Sequence, residues 1–186
     1  MENASMTHAK GKWAQRWIWA AVGQGLIAAI ITVLILDPPQ YFTGNTDYFS
    51  PARVIAGGGG GTWMFTGYIS FLVVGVVATA VTALFYYFIE DVQGKVYKGF
   101  NSLLAWGHIA FMNVGVAASM IIMIRQGYLA GYAAVSASGG GGNLTALQIH
   151  ETILGWTVNW IGGFILLAVI GALLGGLGYI LVSRSK

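Results

Sequence analysis

The sequence predicts an all-α integral membrane protein, a bundle of four transmembrane helices, from its composition, its segmentation and the lengths of its segments. Of its 186 residues, 56% are hydrophobic and only 8% are charged, whereas soluble domains carry about 25% charged residues. Four long apolar segments are separated by polar or glycine-rich stretches. Each segment can cross a hydrocarbon core roughly 30 Å thick at 1.5 Å per residue. The expected surroundings are therefore the lipid bilayer of a cell membrane, crossed several times.

Each apolar segment has a recognisable end. Pro38 and Pro39 stop the first helix, because proline cannot continue the hydrogen-bond ladder. The charged pair Glu90-Asp91 ends the second helix, and Arg125 ends the third. The fourth helix is longer than one crossing requires, so it must tilt or project from the membrane. A single transmembrane domain, 1–186, is expected to hold these helices at about residues 17–36, 62–89, 102–124 and 147–182.

Two long loops carry glycine runs, Gly57–Gly61 and Gly139–Gly142. The expected role of the first run is a flexible joint. A phosphate-binding loop is excluded there, because no Lys-Ser or Lys-Thr follows. The second loop is predicted from Gln126 to about Ala146. It contains Asn143, which begins an Asn-Leu-Thr glycosylation pattern.

Basic residues are unevenly shared between the two ends of the predicted bundle. The end with both termini holds Lys10, Lys12, Arg16, Lys95, Lys98, Arg184 and Lys186, and the other end holds Arg53 and Arg125. The positive-inside rule therefore predicts cytoplasmic N- and C-termini. The basic residues form no stripe, so no nucleic-acid partner is expected despite the net charge of +3. The absence of cysteine excludes disulfides and thiolate metal sites.

The third predicted helix contains the polar residues His108 and Asn113. An ionisable residue within a membrane span is a candidate functional residue, and a neutral imidazole can ligate haem iron or copper. The alternative is a neutral histidine hydrogen-bonded to a neighbouring helix. Asn113 is expected to form a hydrogen bond across helices.

His150 and Glu151 form an adjacent histidine–acid pair near the start of the fourth helix. With Asp37 and Asp47, which fall on the same side of the membrane, they are the candidate metal site for copper or zinc. The alternative is an ordinary helix start, where Glu151 meets the positive end of the helix dipole. A haem held by both His108 and His150 is excluded, because the two residues lie at different depths.

Gly171 and Gly175 form a small-xxx-small pair in the fourth helix. Such pairs let two helix backbones approach closely. The pair predicts helix packing, within the bundle or against another subunit.

The segment Leu104–Gly115 (LAWGHIAFMNVG) resembles a histidine-bearing helix of haem–copper oxidase subunit I. The segment Gly61–Tyr68 (GTWMFTGY), which precedes a long apolar span, also resembles that subunit. That family has twelve or more helices and a set of six histidines. In this chain only His108 matches one of them. The resemblance therefore implies a reduced relative or an accessory subunit. The chain is also similar to the small helical subunits of archaeal ammonia monooxygenase.

Three functions follow from these patterns. The first is a non-catalytic accessory or structural subunit of a larger membrane oxidoreductase complex, of the copper monooxygenase or respiratory oxidase type, with other membrane subunits as partners. The second is a small membrane redox protein that binds haem or a metal. The third is a small transporter, which would need buried charges or broken helices. The sequence leaves the cofactor open among copper, zinc and haem.

Overall fold

The computed structural model describes residues 12–36, 50–56, 58–135 and 144–185, and it confirms an all-α bundle with four membrane-spanning helices. We number the helices α1 to α5 along the chain. The short α2 lies in the first long loop, where no helix was predicted. The helices are α1 (Lys12–Ile35), α2 (Pro51–Ala56), α3 (Gly60–Val92), α4 (Phe100–Val135) and α5 (Ala146–Arg184).

The four long helices pack in chain order. Helix α1 lies against the central and C-terminal parts of α3, the N-terminal part of α3 lies against α4, and α5 packs almost entirely on α4. In the most apolar stretch of each long helix only 11–22% of the residues are buried. So much exposed apolar surface requires lipid around it, and the chain is therefore a multi-pass membrane protein.

We call the end that carries Lys12, Arg16, Lys95, Lys98 and Arg184 the basic end, and the other the opposite end. A buried aromatic cluster of α1, α3, α4 and α5 lies at the basic end. A smaller cluster of α4 and α5 residues lies at the opposite end. The cytoplasmic placement of the basic end stays a prediction.

Helix α4 departs most from the sequence prediction. It continues to Val135, beyond the stop expected at Arg125. Gly127, Ala130 and Gly131 are buried in this extension, and a side chain added at Gly127 would overlap the backbone of Met64 on α3. Tertiary packing thus keeps helical a segment whose glycine, alanine and tyrosine content predicted a loop.

The first glycine run also differs from the expected flexible joint. Gly58 and Gly59 have positive φ angles of 72° and 55°, so they form the turn into α3. Gly60 and Gly61 lie within α3 and are buried. A side chain on Gly60 would overlap Ala130, so glycine is needed here for close helix contact.

Helix α5 begins with a complete capping box. Thr145 Oγ1 accepts a hydrogen bond from the Gln148 backbone N–H at 3.3 Å, and Gln148 Oε1 accepts one from the Thr145 N–H at 2.8 Å. The helix therefore starts at Ala146. Glu151 lies beyond the first turn, so it does not begin the helix as the ordinary-start alternative supposed.

Candidate functional site

His108 is a partly buried ionisable residue set between the helices at the basic end. Its Nδ1 lies 3.1 Å from the hydroxyl oxygen of Tyr86 on α3. Its ring centroid lies 4.5 Å from that of Trp17 on α1. On a third side the ring covers Gly175 of α5, where an added Cβ would overlap the imidazole. One histidine thus contacts all three neighbouring helices.

The contacts of the His108 ring determine how well it could ligate a haem or a metal. A ligating histidine needs a free ring nitrogen that points into a gap large enough for the ligand. The hydrogen bond between Nδ1 and Tyr86 leaves Nε2 as the nitrogen that could ligate a metal. The ring itself, however, packs between Trp17 and Gly175, which leaves little room for a haem beside it. The arrangement supports a hydrogen-bonded packing role for His108 better than haem ligation.

Asn113 takes part in a second polar contact, further along α4. Gln24 of α1 is 6% exposed, and its Nε2 donates to Asn113 Oδ1 at 3.2 Å and to the Asn113 carbonyl at 3.4 Å. Asn113 Nδ2 in turn donates to the Ile109 carbonyl at 2.8 Å. Gln24 lies near the middle of α1, so this cross-helix pair lies near the centre of the membrane. Gln24 Oε1 is buried without a donor from the described part of the chain.

Glu90 caps the first turn of α1. Its Oε2 accepts hydrogen bonds from the backbone N–H groups of Trp13 at 2.9 Å and Ala14 at 3.2 Å. These donors have no partner within their own helix. A carboxylate on α3 therefore anchors the start of α1, and it also matches the positive end of the α1 dipole.

The connection between α3 and α4 anchors the last turn of α5 as well. Lys95 Nζ donates to the carbonyl oxygens of Ser183 and Ser185, each at 2.5 Å. A cation is favoured at this end of a helix. Gly94 and Gly99, with φ angles of 64° and 52°, allow the connection to turn sharply.

Aromatic residues enclose this end of the bundle. The Arg16 guanidinium lies between the rings of Trp13 and Trp106, 4.3 Å and 4.6 Å from their centroids. Tyr97 packs on Tyr86 at 5.0 Å between centroids. Burial raises the pKa of the Tyr97 hydroxyl, which is therefore neutral at physiological pH.

Sequence reasoning did not single out Tyr86 or Glu90. Tyr86 belongs to a run of four aromatic residues, Phe85–Phe88, typical of a membrane interface, and no local pattern marks it. Glu90 was assigned only as a helix stop. One signal pointed to it: Lys10 and Gly11 precede α1 without a good capping side chain, so an acceptor had to come from elsewhere in the fold.

The proposed metal ligands are not brought together by the described residues. His150 and Glu151 are both exposed on α5. Asp37 and Asp47 lie outside the described residues, as does Asn143. Within ranges 12–36, 50–56, 58–135 and 144–185 there is no group of three histidine or acidic residues that could hold an ion. The metal site stays a prediction.

Gly171 and Gly175 both face α4. A Cβ at Gly171 would come within 2.6 Å of the Met112 backbone nitrogen, and one at Gly175 would overlap His108. Gly115 of α4 is equally confined, 2.5 Å from the Phe164 carbonyl by the same measure. The α4–α5 contact is thus a close backbone approach with His108 inserted where Gly175 leaves room.

Comparison with known proteins provides no relative for this arrangement. No protein family, curated protein or solved structure matches the chain.

Metal analysis of two variants tests the candidate ligands. Copper or zinc that is retained by the purified chain is expected to be lost in His150→Ala and kept in His108→Ala, because the exposed pair can exchange water for protein ligands. The measurement is metal content per protein by mass spectrometry. Loss of metal in His108→Ala alone would move the site to the basic end.

Proposed function

We propose that the chain is a structural subunit of a larger membrane oxidoreductase complex, without catalytic residues of its own. The observation that carries this proposal is a set of glycines on the outer surface of α5. At Gly162, Gly163 and Gly176 an added Cβ would have no atom within 4 Å. In a helix interior each glycine costs roughly 0.5–1 kcal/mol relative to alanine. No contact within the described chain offsets that cost.

A transmembrane helix of another subunit, packed on this face of α5, would explain why glycine occurs at these positions. Small residues permit the close backbone approach that holds helices together in lipid, where apolar burial gives no driving force. Gly163 lies in a shallow groove on the surface of α5 itself, lined by Asn159, Trp160, Phe164 and Leu167. Asn159 is exposed and makes no hydrogen bond to the described residues, so its amide is available to a partner. The groove therefore suits a helix of another membrane subunit.

The internal polar contacts support the same role. The side chains of His108 and Tyr86 bond to each other, as do those of Gln24 and Asn113, and Glu90 and Lys95 hold helix ends. These groups specify how the helices pack. The oxidoreductase character of the complex rests on the resemblance of Leu104–Gly115 to the oxidase helix, a segment that here carries both His108 and Asn113.

The test compares Gly163→Leu with Gly23→Leu after mild-detergent purification. Gly23 of α1 also has no atom within 4 Å of an added Cβ, but it is a single open glycine and not part of a set, so it controls for the effect of leucine at any open glycine. Gly163→Leu is expected to release the partner subunits, seen as a loss of native mass, without lowering the unfolding temperature of the isolated chain. Gly23→Leu should retain them.

The retained complex is expected to contain copper or haem iron in a partner subunit. A native mass equal to that of the lone chain would contradict the proposal, as would identical complexes in both variants. A stable complex without a redox metal would keep the subunit role and remove the oxidoreductase assignment.

A further inference from the structure

Arg125 lies where α4 leaves the apolar part of the bundle at the opposite end. It is exposed, and it shares a groove with Ile35, the last residue of α1. The end of α1 marks the boundary of the hydrocarbon, because this helix is just long enough to cross it. Arg125 therefore sits at the depth of the lipid headgroups.

On one side of Arg125 is a small cavity between α4 and α5, mostly apolar in its lining but with the Gln126 side chain in its wall. Its volume is about 100 Å³, and its lining includes Gln126, Trp156 and Trp160. Gln126 is only 3% exposed, yet its side chain makes no hydrogen bond to the described residues. Buried amides are nearly always hydrogen-bonded. The Gln126 amide lines this cavity and can bond to a polar group that enters it.

On the other side of Arg125 is an apolar groove of about 420 Å³. Helices α1 and α4 supply most of its walls, including Ile31, Leu34, Ile121 and Ile124. These are the surroundings that suit a hydrocarbon chain. The guanidinium thus stands between a small cavity that contains the Gln126 side chain and a larger apolar groove.

We propose that these two cavities bind one phospholipid, with its phosphate at Arg125 and Gln126 and an acyl chain in the groove. Arginine matches phosphate geometry through paired N–H donors. Arg125 forms no ion pair with the described residues, so its charge is available. Indole rings such as those of Trp156 and Trp160 favour the headgroup region. An anionic lipid is preferred over a zwitterionic one because it adds net negative charge.

The full-length chain, stripped of lipid in a neutral detergent, is titrated with phosphatidylglycerol in mixed micelles. Native mass spectrometry is expected to show one bound lipid per chain, with a rise in the unfolding temperature. Diacylglycerol of the same chain length separates the phosphate contribution from the acyl contribution, and inorganic phosphate separates a lipid site from a free-phosphate site. Equal binding of diacylglycerol would overturn the proposal, and so would phosphate alone reproducing the stabilisation.

Two variants locate the site. Arg125→Gln should weaken phosphatidylglycerol binding at least about tenfold, equivalent to about 1.4 kcal/mol, and Gln126→Leu should weaken it in the same direction. Arg184→Gln, which changes a cation at the basic end, is the control and should bind normally. If Arg125→Gln does not fold, Gln126→Leu alone decides the question. Unchanged affinity in the variants of the site would place the lipid elsewhere.

Discussion

Gly175→Leu is expected to destabilise the bundle by about 3 kcal/mol or more, at the upper end of the range for overpacked interiors. The reason is that even a Cβ at this position overlaps the His108 imidazole. A leucine would force α5 away from α4 or expel His108 from its contact with Tyr86. Thermal unfolding in detergent, followed by circular dichroism, measures the effect.

The adjacent residue provides the control. Gly176 faces outward, and an added Cβ there has nothing within 4 Å. In the isolated chain, without partner subunits, Gly176→Leu should therefore change stability by no more than about 1 kcal/mol, the difference in helix propensity. Equal losses in both variants would mean that helix composition, and not the contact with His108, limits stability.

A double-mutant cycle isolates the contact itself. Gly175→Ala should cost about 1–3 kcal/mol in the native background. In a His108→Ala background the same change should cost far less, because the overlapping ring is gone. A coupling free energy of at least about 1 kcal/mol is expected for two residues in such direct contact. Additive effects would contradict the geometry.

Glu90→Ala is expected to lower stability by about 2 kcal/mol, the upper range for loss of a helix cap. The carboxylate accepts two backbone N–H groups of α1, and their loss leaves both donors without a partner in the helix. Hydrogen exchange at the Trp13 and Ala14 amides should speed up, while exchange in the centre of α4 should not change. Mass spectrometry of deuterated peptides measures both.

Asp91→Ala is the matched control, because Asp91 carries the same charge and forms no hydrogen bond or ion pair with the described residues. It should leave the exchange of α1 unaltered. Similar acceleration in both variants would show that net charge at this end, and not the specific cap, holds α1.

The sequence predicted the architecture because lipid imposes a simple rule. Spans must be long, apolar and helical, since unpaired backbone groups are too costly in hydrocarbon. The rule is visible in the sequence at the Asp37-Pro38-Pro39 stop and in the charged residues after α3. The rule fails at Gln126–Val135, which was assigned to a loop. Burial of Gly127 and Gly131 against α2 and α3 outweighs the weak helix preference of glycine there.

The candidate site was only partly within reach of the sequence. His108 and Asn113 could be singled out, because a polar residue inside an apolar segment stands out from its neighbours. Gln24 also stands out as a polar residue in an apolar segment and was expected to bond across helices, but nothing local pairs it with Asn113. Nothing local distinguishes Tyr86 from Phe85, Tyr87 or Phe88 either. The Gly171–Gly175 spacing predicted a close helix contact, but it did not show that His108 is the residue packed against Gly175.

By itself, then, the sequence determined that this chain crosses a membrane four times as helices, and where most of those helices begin and end. These properties depend on segment length and polarity, which are local. Only the tertiary structure decided that His108 sits on Gly175 beside Tyr86, that Glu90 caps α1, and that Arg125 stands between two cavities. Those contacts depend on helix rotation and register, which are set by the summed packing of all four helices, and no single segment encodes them.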